Sequence, residues 1–135
     1  MTDYTAIRRV LAGILNDIPD LPDIAWENVK YTPEVGTPYI AENLLIGDTA
    51  PIGLAFGSAS DTVGVYQLTI NISTDITSFP ALELADTLRE SFARGTYTDS
   101  ATGQKVEITR VGANPMQTDA PWVSLPISVT FRAIN

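Results

Sequence analysis

Cysteine and histidine are both absent from the sequence. Without them the chain forms no disulfide, no thiolate nucleophile, no Cys/His zinc site and no histidine-based acid–base catalyst. Basic residues are also scarce, with 8 lysines and arginines against 16 aspartates and glutamates, a net charge of −8. A protein that grips DNA or docks on anionic lipid needs a basic surface. The charge therefore argues against specific DNA binding, although DNA can pass nearby without being held.

Long apolar runs and catalytic motifs are missing as well. No segment approaches the roughly 20 apolar residues of a membrane helix, and residues 1–9 lack the pattern of a signal peptide. There is no phosphate-binding glycine loop and no Gly-x-Ser-x-Gly. Asp17, Asp20 and Asp23 are the nearest approach to a cation site, but the ligand order of an EF-hand is missing and aspartate is common in turns. No catalytic residue, cofactor or metal is predicted, and no membrane partner.

The composition is that of a folded globular protein. Of the 135 residues, 44% are hydrophobic and 18% are charged. This length is typical of one domain with one core, so we expect a single domain over residues 1–135.

The stretch Val63–Ser73 carries the clearest pattern in the chain. Its residues alternate, with Tyr66, Leu68, Ile70 and Ile72 on one side and uncharged polar residues on the other. A period of two places these sets on opposite faces of a strand. One face is therefore expected in the core, and the other meets water or another protein.

Two amphipathic helices and further strands surround this one. The first helix is predicted over residues 3–17, capped by Asp3 or Thr2. The second follows Thr77 or Ser78, with Pro80 in its first turn. The remaining strands are expected to form mainly hairpins, and Pro126 predicts an edge or a bulge in the last of them. The order of elements predicts an α+β fold: a mostly antiparallel sheet, two helices packed on one face and a long protruding β-hairpin.

Residues 47–62 are the least regular part of the sequence. Structureless loops of this length tend to be functional. Ile52, Leu54 and Phe56 lie in it among small residues, and apolar side chains at a hairpin tip are expected where a partner buries them. A linker with incidental apolar residues is the alternative.

The second helix supplies the remaining candidate residues. Glu83, Asp86 and Glu90 share one side, which is typical of a solvated helix face and less so of an acid–base pair. A small carboxylate-dependent hydrolase or ligand-binding domain remains the alternative from another functional class.

The order of elements resembles the tail terminator (tail completion) proteins of long-tailed bacteriophages and their prophage relatives. The resemblance covers nearly the whole chain and lies in the order of its segments, with no single diagnostic motif. These segments include 7–11, 25–29, 31–33, 36–40, the glycine-rich hairpin, 64–68, 85–89, 92–95 and 122–127.

The resemblance implies a structural role without catalysis. Such proteins form a hexameric ring on the end of the tail tube, stop its polymerisation and present a surface to the head connector; the free protein is expected as a monomer. The implied partners are other copies of the chain, the tail tube protein and the head-completion protein, with DNA passing through unbound. The implied locations are the virion tail and, during assembly, the host cytoplasm. By analogy Glu83, Arg89 and Glu90 would face neighbouring subunits together with the hairpin. A head–tail connector subunit is the related alternative.

Overall fold

A computed structural model gives the structure of the chain and describes residues 3–51, 60–74, 77 and 79–134. Within these residues the chain forms two helices and seven strands. In chain order they are α1 (Tyr4–Asn16), β1 (Asp23–Ala25), β2 (Tyr39–Pro51), β3 (Ser60–Ser73), α2 (Phe79–Ser91), β4 (Gly95–Thr98), β5 (Lys105–Ala113), β6 (Gln117–Asp119) and β7 (Trp122–Ile134). The predicted α+β class is confirmed.

The strands form one sheet in the order β1-β2-β3-β7-β5-β4, and β6 also pairs with β7. Every pairing in the described part of the chain is antiparallel except that of β1 with β2. The β3–β7 ladder is continuous from Asp61 opposite Ile134 to Ser73 opposite Trp122. Because β3 occupies one side of β7 throughout, β5 and β6 lie in line along its other side.

The predicted alternation of β3 builds the core. Tyr66, Leu68 and Ile70 have no exposed surface, and Ile72 is 2% exposed. Their neighbours on β7 are also buried, and both helices pack on this face with apolar side chains. The buried contributions of the helical segments are Ile7, Leu11, Leu15, Ala81, Leu88 and Phe92. Helix α1 begins as predicted, with the Asp3 side chain accepting from the backbone N–H of Ala6 at 3.0 Å.

The irregular stretch predicted over residues 47–62 is shorter than expected. The β2–β3 ladder runs to Pro51 opposite Ser60, with a bulge between Ile46 and Thr49. The strand was missed here because its backbone pairs without a regular apolar pattern. The bulge also shifts the alternation of side chains along β2. The prediction for Ile52, Leu54 and Phe56 falls outside the described residues.

The edge predicted at the proline of the last strand is local: β7 has no partner strand on one side at Pro126, because β5 ends opposite Ile127 and β6 begins opposite Ser124. Pro126 lies opposite Thr69 in the middle of the sheet. Its carbonyl accepts from the N–H of Asn114 at 2.8 Å, so its ring nitrogen also faces the β5–β6 side. In an antiparallel strand the N and O of a residue point to the same neighbour. The missing N–H therefore removes no bond to β3. It removes none to β5 either, because β5 ends opposite Ile127.

The described helices include none that is both long and apolar enough to cross a membrane.

Candidate interaction surface

A buried carboxylate holds α1 against the sheet. Glu42 lies on the core face of β2 with 1% exposure. It accepts hydrogen bonds from the Arg8 guanidinium, the Tyr66 hydroxyl and, at 2.8 Å, the backbone N–H of Glu27. Burial, with the hydrogen bond and charge of Glu42, strongly raises the pKa of Tyr66. Burial lowers the pKa of Arg8, but the hydrogen bond and charge of Glu42 outweigh it, and the net direction is upward. Glu42 is therefore a buried carboxylate whose hydrogen bonds join α1, β3 and the loop before β2.

A second ion pair fixes the other side of the same helix. The Oδ2 atom of Asp99 accepts from Arg9 at 2.7 Å and from the Thr102 hydroxyl and N–H at 2.7 and 3.1 Å. The Thr102 hydroxyl lowers the pKa of Asp99, burial opposes this, and Arg9 lowers it further. Adjacent arginines thus tie α1 both to β2 and to the β4–β5 turn. Both ion pairs hold α1 in place on its face of the sheet.

The free side of β2 is the first exposed feature of the surface. β1 pairs only with Tyr39–Ala41, which leaves residues 42–51 without a strand on that side among the described residues; we call them the β2 edge. Glu27 covers part of it, because its Oε1 accepts from the N–H of Leu44 at 3.3 Å. Beyond that point Leu45 and Ile46 are 52% and 37% exposed.

The edge at the other end of the strand order is also partly open. β4 pairs only with Lys105–Ile108. Residues 110–113 of β5 and 117–119 of β6 have no outer partner strand within the described chain, and we call them the β5–β6 edge. A groove of about 350 Å³ separates this edge from α2. It is lined by Leu82, Ala85, Asp86, Arg89, Val111, Gly112, Ala113 and Ile127.

The face of the sheet away from the helices carries several polar side chains that are hydrogen-bonded to one another. The Ser124 hydroxyl donates to Asn71 Oδ1 at 2.8 Å, and Asn114 Nδ2 donates to the Ser128 hydroxyl at 2.9 Å. These bonds satisfy side chains across neighbouring strands. Part of the polar face predicted for β3 is therefore hydrogen-bonded to the neighbouring strand and not to a partner protein.

The helical residues predicted to contact partners are all exposed on α2. Glu83 and Glu90 face solvent. Arg89 lines the groove, and its Nη2 atom lies 3.4 Å from Oδ1 of Asp86. Their exposure is compatible with a contact and does not test it. The described residues contain no group of three or more side chains placed to hold a metal ion.

Sequence reasoning missed Leu45 and Leu82 as surface residues. The signal was present in both cases. In a strand, Leu45 must point to the face opposite the one that Leu44 and Ile46 share. Leu82, 45% exposed, falls outside the buried stripe of α2. Both leucines are out of phase with the core-facing positions of their element.

The comparisons with known proteins agree with this fold. A family described as phage tail terminator protein matches residues 5–131. One solved structure is similar over 98% of this chain and 96% of its own, with a TM-score of 0.74 and 21% identity, which shows a shared fold. No curated protein matches the sequence. The chain belongs to the phage tail terminator family, and its class is that of a structural component of the phage tail.

Proposed function

We propose that this protein caps the completed tail tube as a ring, stops further addition of tube subunits and forms the surface to which the head attaches. The observation that carries the proposal is the family match over residues 5–131. A hexamer is the proposed ring, with a monomer before assembly. Other copies, the tube protein and the head-completion protein are the proposed partners, in the virion tail and, before that, in the host cytoplasm.

The geometry supports self-association through unlike surfaces. The β2 edge and the β5–β6 edge lie on opposite sides of one sheet, and each carries exposed apolar side chains. Contact between unlike surfaces generates a ring when the rotation between copies closes. The net charge of −8 suits a lumen through which DNA slides without being gripped.

The test is termination itself. Purified protein is added to tail tube protein from the same phage while tubes are growing, and tube lengths and ends are recorded by negative-stain electron microscopy. We expect shorter tubes with an added density on one end. An unrelated acidic protein of similar size is the control. Tubes that grow equally long and uncapped would overturn the proposal, and binding to head-side connector protein alone would identify a neck subunit instead.

A further inference from the structure

The two open edges run in directions that suit pairing with each other. The chain reverses at each of the neighbouring pairings β2–β3, β3–β7 and β7–β5. After three reversals β5 runs opposite to β2. If the sheet continued from one copy into the next, the two edges would meet as antiparallel strands, which pair slightly more stably than parallel ones.

The covering strands sit at opposite ends of the sheet. β1 lies beside Tyr39–Ala41, level with residues 124–126 of β7, whereas β4 lies beside Lys105–Ile108, level with residues 131–134. At equal level the two open stretches overlap only beside residues 127–130 of β7, where residues 42–45 of one copy can meet 110–113 of the next. β4 would face residues 46–51 and β1 would face β6, so a contact that includes Ile46 requires one copy to be shifted along the strand direction until both covering strands are clear.

Exposed apolar side chains occur at both edges. Of the nine large apolar side chains that are exposed in the described residues, Leu45 and Ile46 lie on the β2 edge, Leu82 lines the groove beside the β5–β6 edge, and Met116 lies between β5 and β6. Exposed apolar patches are typical of protein contacts.

The side-chain faces also agree. Ile46 lies opposite Gly64 and on the same face of β2 as Glu42, which is the face that the helices cover. In a continued sheet with this shift, Ile46 keeps that face and meets the helix-side groove beside Leu82 and Val111 on the next copy. An unpaired strand edge bordered by a groove is a known mode of strand recognition.

We propose that the β2 edge of one copy docks on the β5–β6 edge of the next, with Ile46 inserted into the groove between α2 and β5. The occupant of the groove is thus a second copy of this chain. The inference rests on the proposed function, since a ring requires a contact between unlike surfaces. It specifies which surfaces these are.

The absence of native cysteine makes a direct test possible. A variant carrying Ile46→Cys and Leu82→Cys is treated with a short bismaleimide, with and without tail tubes of the same phage, and separated by denaturing electrophoresis. We expect a ladder of covalent multimers, because each copy can link to two neighbours. Either single-cysteine variant gives at most a dimer. The matched control pairs Leu82→Cys with Val35→Cys, at an exposed position that belongs to neither edge, and should give no ladder.

A charge exchange gives a second readout. Ile46→Asp and Leu82→Lys should each weaken self-association by about tenfold or more, and the two together should restore most of it. Thermal melting checks that each variant folds. If wild-type protein caps tubes but the double-cysteine variant gives no ladder and the charge variants show no exchange, the docking is wrong and the proposed function stands. If the ladder forms without capping, the docking stands and the function is wrong; if neither is seen, both are wrong.

Discussion

Glu42 shows how a single charged residue can belong in a core. Its position in β2 places it between Ile40 and Leu44 on the helix-facing side, where an unpaired carboxylate would be strongly unfavourable. Arg8, Tyr66 and the N–H of Glu27 all donate to it. The residue therefore links a helix, two strands and a loop through one side chain. Its contribution is to position these elements, and the cost of burial is offset by the donors.

Removal of this carboxylate should be far more damaging than removal of a surface acid. Glu42→Ala leaves the donors unpaired and is expected to lower the free energy of unfolding by about 3 kcal/mol. Tyr66→Phe removes a single hydrogen bond to the carboxylate and should lower it by about 1–2 kcal/mol. Urea unfolding measures both.

The control is Glu34→Ala at an exposed position, expected within about 0.5 kcal/mol of the wild type. A Glu42→Ala variant as stable as this control would show that the buried cluster contributes nothing to stability.

At the scale of elements, Gly64 lies at a close approach of three strands. A Cβ atom there would lie 2.5 Å from the carbonyl oxygen of Leu45 on β2 and 2.7 Å from Phe131 on β7. The first contact is with backbone, so a side chain cannot be accommodated by a change of rotamer. The glycine lets β2 and the Phe131 ring close over β3 at this point.

Gly64→Ala is therefore expected to destabilise the protein by about 1–3 kcal/mol, as overpacking of a core does. Gly13, inside α1, is the matched position, because a Cβ there meets nothing within 4 Å. Gly13→Ala should leave stability unchanged or raise it by up to about 1 kcal/mol. Thermal unfolding of the two variants gives the comparison, and equal effects of the same sign would contradict the assigned role of Gly64.

The sequence pattern predicted those elements that bury a single face against the core. The alternation at Tyr66–Ile72 and the stripe at Ile7, Leu11 and Leu15 gave the central strand and the first helix, because both bury a single face. The parallel pairing of β1, the extension of β2 past its bulge and the central place of Pro126 depend on contacts between distant segments. No local period encodes such contacts.

The candidate surface was predicted only in part. Glu83, Arg89 and Glu90 are exposed on α2, as a polar helix face requires, but a subunit contact at these residues stays a prediction. The same holds for Ile52, Leu54 and Phe56, which lie outside the described residues. The two open edges could not be read from the sequence, since an edge is defined by the strand that does not pair there.

At the scale of the whole molecule, charge and assembly oppose each other. Each copy carries a net charge of −8, and a ring brings several copies together. Like charges repel over a Debye length of about 10 Å at 0.1 M salt and much less at higher salt. The proposed apolar contacts therefore have to overcome a repulsion that salt reduces.

Self-association should accordingly strengthen with salt. Raising sodium chloride from about 0.05 to about 0.5 M is expected to increase the association constant several-fold, since screening weakens the repulsion. Sedimentation equilibrium measures the constant at each salt concentration, and an uncharged osmolyte serves as the control. An association constant that fell with salt would show that ion pairs between copies dominate the contact.

The partial cover of the β2 edge has a consequence for the chain before assembly. Glu27 occupies the outward N–H of Leu44, and the bulge after Ile46 breaks the straight line of backbone groups beyond it. A long flat edge would serve as a template for indefinite stacking into fibrils, and bulges and charged side chains are the usual protection. The same few residues that leave room for one specific neighbour thus interrupt the flat edge that unlimited stacking of folded copies would need.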